Sequence, residues 1–241
     1  DLFINALGKL NKSSELNKEI VAVIAVPANI SGIYKELEYR REGKKPIEGH
    51  TDLPCTHHIF GYEYDAVLNS LRENGLNNNS EDKVKVMFVP SYLNGNDGVF
   101  NLKYNDFLYA FDLTVFPSYY EPWGYTPMES IAHGIPTITT DLAGFGRYIQ
   151  DEKFENESVA IVHREEGNGI IVTDEIVKII LNFTSKDENQ IKAVKKNAFE
   201  LVGKFEWNEL INNYLVEQIK SLLEASRQKI AVEVNTTLLH T

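Results

Sequence analysis

The sequence predicts an α/β fold, a doubly wound parallel sheet with helices on both faces. Three observations carry that expectation. Short β-branched runs alternate with helical stretches, as strand–helix–strand units require. The run at 20–26 is apolar throughout and 113–116 is apolar but for Thr114, which marks strands covered on both faces. Three of the candidate strands stop at a proline, at Pro27, Pro90 and Pro117, where a ladder donor is lost.

Each element follows from local pattern. Residues 1–10 place Phe3, Leu7 and Leu10 on one helical face, so the chain is expected to open on a helix. A strand is expected over 20–26, then a polar helix over 33–42 and a loop over 43–54. A helix over 64–74 should end at Gly75, the residue type favoured just past a helix end. The strand over 83–89 leads into the Asn- and Gly-rich stretch 91–101, read as loop. A short helix over 105–111, the strand 113–116, a helix over 127–133 and a strand over 136–140 follow. Beyond Gly144 the rhythm weakens, with one more strand at 159–162. Helices over 174–183, 188–203 and from 207 to about 227 close the pattern. The tail 230–241 finds no partner and is expected to be loosely held. Residues 1–205 thus read as one α/β domain and 206–241 as a C-terminal helix and tail.

Composition narrows the function. The 241 residues carry 24 basic and 35 acidic side chains, a net charge of −11. A nucleic-acid surface needs clustered lysine and arginine, and the only cluster is Arg40, Arg41, Lys44 and Lys45, interrupted by Glu42. Nucleic acid is therefore not an expected partner. The single cysteine, Cys55, allows no intramolecular disulfide and suits a reducing compartment. No apolar run approaches the roughly 18 residues of a membrane span. The chain starts at Asp1 without a signal-like segment, so a cytoplasmic domain cut from a longer protein is expected, with a homo-oligomer left open.

The chemistry concentrates between Val115 and Gly146. A strand ends at Phe116, and the chain continues Pro117-Ser118-Tyr119-Tyr120-Glu121-Pro122-Trp123-Gly124-Tyr125-Thr126-Pro127-Met128-Glu129. In open α/β sheets ligands gather at the carboxyl ends of strands, beside helix N-termini. Thr126 reads as an N-cap and Pro127 as the first helical residue. The free N–H groups and the helix dipole there make an anion site. Glu129, three residues after Thr126, has two readings, a capping-box partner or a ligand-binding carboxylate. Glu121 has no capping duty, and a carboxylate between two tyrosines and a Pro-Trp-Gly turn suggests use rather than solvation. Trp123 either packs under the turn or meets the apolar face of a sugar. Gly144-Phe145-Gly146 lacks the third glycine of a dinucleotide fingerprint, since Ile149 stands there. Cys55, His57 and His58 have no second cluster to complete a metal site, and no metal is expected.

The run 116–127 resembles the signature of the animal and fungal glycogen synthases. The likeness extends to Ile138-Thr139-Thr140-Asp141-Leu142-Ala143-Gly144-Phe145-Gly146, to Asp1-Leu2-Phe3-Ile4, to Cys55-Thr56-His57, to 82–86 and to Tyr104-Asn105-Asp106-Phe107. It thus spreads from about residue 1 to about residue 150. The resemblance implies a retaining glycosyltransferase built of two Rossmann-like domains, the GT-B architecture, of which this chain is the C-terminal, donor-binding half. It implies a nucleotide-glucose donor, UDP-glucose favoured over ADP-glucose, an α-1,4-glucan acceptor, and an acceptor-side domain of the same protein outside this sequence. It assigns Glu121 to the reacting glucose, Glu129 to the ribose hydroxyls and Tyr104 to stacking on uracil. Gly124, Tyr125 and Thr126 would offer backbone donors to the diphosphate, with Trp123 alongside, and no cofactor or metal. The arginine-rich regulatory helix of the animal and fungal enzymes has no counterpart over 210–228, where Arg227 is the only arginine. Two other readings stay open at this point, a retaining glycosyltransferase with another sugar or acceptor, and a non-catalytic carbohydrate-binding module.

Overall fold

The computed structural model describes residues 1–44, 54–154 and 156–238. The opening helix α1 (Leu2–Lys12) forms because Ile4, Leu7 and Leu10 recur at helical spacing, and all three are buried. Phe3, expected on the same face, is only partly covered. β1 (Ile20–Ile24) ends before Ala25. β2 (Ile30–Ile33) and β3 (His57–Ile59) then pair antiparallel, a ribbon the sequence reading did not expect. Gly32, at φ +143°, sits in backbone territory that a helix cannot use. The helix expected from residue 33 therefore begins only at α2 (Lys35–Arg41). Of the loop expected over 43–54, residues 45–53 lie outside the described residues.

α3 (Ala66–Glu73) is capped by Asp65, whose carboxylate accepts the Leu68 N–H at 2.9 Å. Gly75 follows it at φ +70°, as its place past the helix end predicts. β4 (Val84–Phe88) runs parallel to β1, with Ile20 opposite Val84 and Ile24 opposite Phe88. Its other edge is occupied. The Asn78 side chain accepts from the Val86 N–H at 2.7 Å and donates to the Val86 carbonyl at 2.9 Å. Farther along that edge the Thr56 N–H donates to the Phe88 carbonyl at 2.9 Å.

α4 (Tyr104–Leu108), β5 (Thr114–Val115), α5 (Tyr125–Ala132), β6 (Thr137–Thr140), α6 (Gly144–Asp151) and β7 (Val159–Val162) complete the sheet region. β5, β6 and β7 pair parallel in that order. α6 is a helix that the sequence pattern did not show, because its first turn is built on two glycines. The parallel strands form two hydrogen-bonded groups, β1–β4 and β5–β6–β7. One core joins them, since Ile24, Val86 and Phe88 share a cluster with Ile138 and Val162. The fold is α/β with parallel sheets, as expected.

α7 (Gly169–Ser185) begins five residues earlier than the pattern suggested and buries Val172, Ile176 and Ile180. α8 (Glu188–Val202) follows. The chain divides into two compact units, Asp1–Ala198 and Phe199–Thr241, the division falling inside α8. The second unit holds α9 (Trp207–Leu210), a π-helical stretch at Ile211–Val216 and α10 (Glu217–Leu238). The backbone of the tail is helical through Leu238, and 239–241 lie outside the described residues.

Two glycines set how closely α6 approaches the sheet. A Cβ on Gly146 would lie 2.1 Å from the Thr140 carbonyl oxygen, a backbone atom that cannot swing away. Gly146→Ala should therefore destabilise the domain by about 1–3 kcal/mol, the usual cost of overpacking. Urea unfolding of the two proteins checks this, with an unchanged midpoint as the contrary result.

Candidate active site at the carboxyl ends of β5, β6 and β7

The three parallel strands β5, β6 and β7 end at one edge, and each hands the chain to a residue with polar work to do. After β5 the backbone turns through Pro117 and Ser118 into the loop that carries Glu121. The Thr140 hydroxyl, at the end of β6, donates to the Ser118 carbonyl at 2.7 Å. The Ser118 hydroxyl in turn donates to Glu121 Oε2 at 3.0 Å. Glu121 is therefore a half-buried carboxylate held by a hydroxyl.

Its backbone is fixed from the other side. Glu121 bridges to Ala143 in the parallel sense, and its carbonyl accepts the Gly144 N–H at 3.0 Å. The next N–H of α6, from Phe145, donates to the Trp123 carbonyl at 2.5 Å. The leading donors of α6 are thus taken by the loop 121–123. A Cβ on Gly144 would stand 2.2 Å from the Pro122 carbonyl oxygen, so only glycine allows this contact. Trp123 lies half-buried with its ring 6.0 Å from Phe145 and 5.7 Å from Tyr148, centroid to centroid. The structure gives this indole a packing role against α6.

α5 starts differently from the sequence reading. Its N-cap is Gly124, at φ +104° and ψ +74°, and no side chain caps it. Thr126 is the second helical residue and Pro127 the third, so the Thr126–Glu129 capping box does not form. The reason is the left-handed turn at Gly124, which starts the helix two residues early. Tyr125 and Thr126 stand in the first turn, where backbone N–H groups have no acceptor within the helix. The α5 N-terminus therefore keeps the donors and the dipole that α6 has spent. Gly124 is buried, and a Cβ there would lie 3.4 Å from Glu121 Oε2. At that distance a Cβ would make only ordinary contact with the carboxylate, so it is the left-handed backbone that calls for glycine here.

Tyr104 opens α4, and its N–H donates to the Leu93 carbonyl at 3.0 Å. Its hydroxyl is buried and finds no hydrogen-bond partner among the described residues. Burial, with a contribution from the Glu129 carboxylate, pushes the Tyr104 phenol up to about 12. The phenol is neutral at any physiological pH, and Tyr104 and Glu129 share one electrostatic neighbourhood although 25 residues separate them in sequence. The loop before Tyr104 is pinned by buried Asp97, which accepts the N–H groups of Val99, Phe100 and Asn101 at 2.8–2.9 Å. The carbonyl of Asp97 also bonds His57 Nε2 at 2.9 Å, while His57 Nδ1 meets the Thr56 hydroxyl at 2.8 Å. The Cys55 thiol donates to the His57 carbonyl, and burial pushes it up to about 11. Cys55, Thr56 and His57 are therefore internal scaffolding for the loop, while His58 is exposed.

Sequence reasoning missed the end of β7. Asp141, just past β6, accepts the Arg164 N–H at 2.9 Å and pairs with His163 Nδ1 at 2.5 Å. This carboxylate raises the exposed imidazole above its ordinary value. The rule that ligands gather at strand ends, applied to 159–162 as it was to 113–116, points to His163 and Arg164.

Together these groups place the Glu121 carboxylate and a donor-rich helix start at one edge of a parallel sheet in an α/β domain, with the neutral Tyr104 electrostatically coupled to a second carboxylate, Glu129, on that helix. The sequence matches the glycogen synthase family over residues 48–240. The chain belongs to that family. It is 35% identical over 158 residues to the glycogen [starch] synthase of Caenorhabditis elegans, covering 65% of this chain and 23% of the relative. It is 30% identical over 222 residues to glycogen [starch] synthase isoform 1 of Saccharomyces cerevisiae, covering 88% and 31%. The chain thus spans about a quarter to a third of the length of these relatives. The family match also runs well past residue 150, through the closing helices. Among solved structures, Anabaena HepE in complex with UDP overlays 92% of this chain and 55% of its own, at 18% identity and a TM-score of 0.45.

Because Thr126 is not a cap, Thr126→Ala should change stability by no more than about 0.5 kcal/mol, where loss of a true N-cap costs about 0.5–2 kcal/mol. Thermal and urea unfolding distinguish the two.

Proposed function

We propose that this chain is the donor-binding part of a glycogen synthase that moves glucose from a nucleotide-glucose, UDP-glucose by preference, to the non-reducing end of an α-1,4-glucan with retention of configuration. The observation that supports it best is the placement of Glu121 and Glu129 on either side of the Gly124 turn, before and within the donor-rich start of α5. The N–H groups of Tyr125 and Thr126 bind the diphosphate, and the helix dipole stabilises its charge as it leaves. Glu129 takes the ribose hydroxyls. Tyr104 offers a neutral ring for the base, its hydroxyl turned into the protein. Glu121, held by Ser118, stabilises the positive charge that develops at the reacting carbon. Retention then follows from attack on the face that the diphosphate leaves, without a glycosyl ester. The acceptor is met in the full-length enzyme, and this chain alone is expected to bind donor without turning it over.

The base is tested by calorimetry on the full-length enzyme with UDP and ADP. UDP should bind more tightly, and Tyr104→Ala should weaken it by about 1–3 kcal/mol, the range for base–aromatic stacking. Tyr104→Phe should keep the affinity without loss of stability, since it removes a buried hydroxyl that has no partner. Equal UDP binding by wild type and Tyr104→Ala takes this ring out of the site.

The catalytic assignment is tested by Glu121→Gln in the same enzyme. The loss should fall on kcat by about 100-fold or more, because the charge it meets exists mainly in the transition state. Full kcat in a folded Glu121→Gln enzyme rejects the assignment.

A further inference from the structure

His163 and Arg164, at the end of β7, take no part in the reading above, yet Arg164 touches the loop that carries Glu121 at two points. Its guanidinium donates through Nη1 to the Pro117 carbonyl and lies over the Tyr119 ring, 4.8 Å from the centroid. Pro117 and Tyr119 flank Ser118, the residue whose hydroxyl holds Glu121 Oε2. One planar cation thus grips the chain on both sides of the group that presents the carboxylate. A guanidinium suits this task because its face stacks on a ring while its edge donates in a fixed direction.

Arg164 is itself held. Its backbone N–H donates to Asp141 Oδ1 at 2.9 Å, and the other oxygen of Asp141 is occupied by His163 Nδ1. Asp141 directly follows Thr140, whose hydroxyl holds the Ser118 carbonyl at 2.7 Å. The ends of β6 and β7 therefore secure the turn 117–119 from two directions. Among the described residues no carboxylate pairs with the Arg164 guanidinium, so its polar commitment is to this turn.

We infer that Arg164 is a positioning residue for Glu121, fixing the 117–119 turn so that Ser118 presents the carboxylate to the reacting sugar. The inference rests on the reading that Glu121 acts at that sugar. A group displaced by an ångström loses much of its effect on rate, whereas the diphosphate and base contacts are made by α5 and α4.

The test compares Arg164→Gln, Arg164→Lys, Glu121→Gln and the Arg164→Gln/Glu121→Gln double variant in the full-length enzyme. Arg164→Gln should lower kcat about 10- to 100-fold and leave donor KM within about twofold, which a general loss of structure would not do. Arg164→Lys keeps the charge without the planar fork, so kcat should fall there too. It also carries the measurement if the glutamine variant does not fold. The double variant should be no slower than Glu121→Gln alone, since both changes act through one group. Wild-type kcat in a folded Arg164 variant overturns the inference. So do multiplied losses in the double variant, or a raised donor KM with kcat intact, which would make Arg164 a donor-binding group. Full kcat in Glu121→Gln instead overturns the Glu121 assignment, and this inference with it, whatever the Arg164 variants do.

Discussion

The site depends on a contact between two backbones at Gly144. The carbonyl of Pro122 occupies the space where any other residue would carry its Cβ. That approach lets the first two N–H groups of α6 take the carbonyls of Glu121 and Trp123, and the loop becomes an extra rung beside β6. Everything the loop carries is placed by this docking. The Glu121 carboxylate lies within reach of Ser118, the indole of Trp123 lies against Phe145 and Tyr148, and the chain leaves through Gly124 into α5. The two helices that start at this edge have divided the work. One uses its dipole to hold the loop, and the other leaves its dipole open to a ligand.

On the proposed function, an acidic chain can serve an anionic donor because the relevant field is local. The net charge of −11 is spread over the surface, where salt screens it within about a Debye length. At the sheet edge the field comes from oriented peptide groups at α5 and from the Arg164 guanidinium. Three carboxylates of this part of the domain are tied to donors. Glu121 takes a hydroxyl, Asp141 an amide and an imidazole, and Asp97 three amides. Charge that is already hydrogen-bonded disturbs the neighbouring anion site less than free charge would.

The strands and the glutamate-bearing segment were legible in the sequence because their signals are local: β-branched runs ending at proline, and a long unusual run after Phe116. What escaped depends on backbone angles or on contacts between distant residues. Thr126-Pro127-Met128-Glu129 spells a capping box, but the φ of Gly124 decides where the helix starts, and no spacing reports it. The β2–β3 ribbon pairs residues 30 and 59, across a gap that periodicity cannot bridge. α6 was hidden by Gly144 and Gly146, helix breakers by propensity that are present here for closeness. Arg164 was passed over because its partners, Pro117 and Tyr119, lie more than forty residues earlier.

Asn78 has a consequence for how this molecule behaves among its neighbours. Its primary amide answers both backbone groups of Val86, as a residue on an adjacent strand would, and its backbone at φ +58° turns the chain away immediately. The far edge of β4 therefore has the backbone groups of Val86 already paired. An unpaired strand edge is a template on which other chains assemble; here the Asn11 and Asn78 side chains and the 54–56 backbone stand in for the next strand. The sheet is finished on that side by chemistry rather than by length, and growth by strand addition has no foothold at Val86.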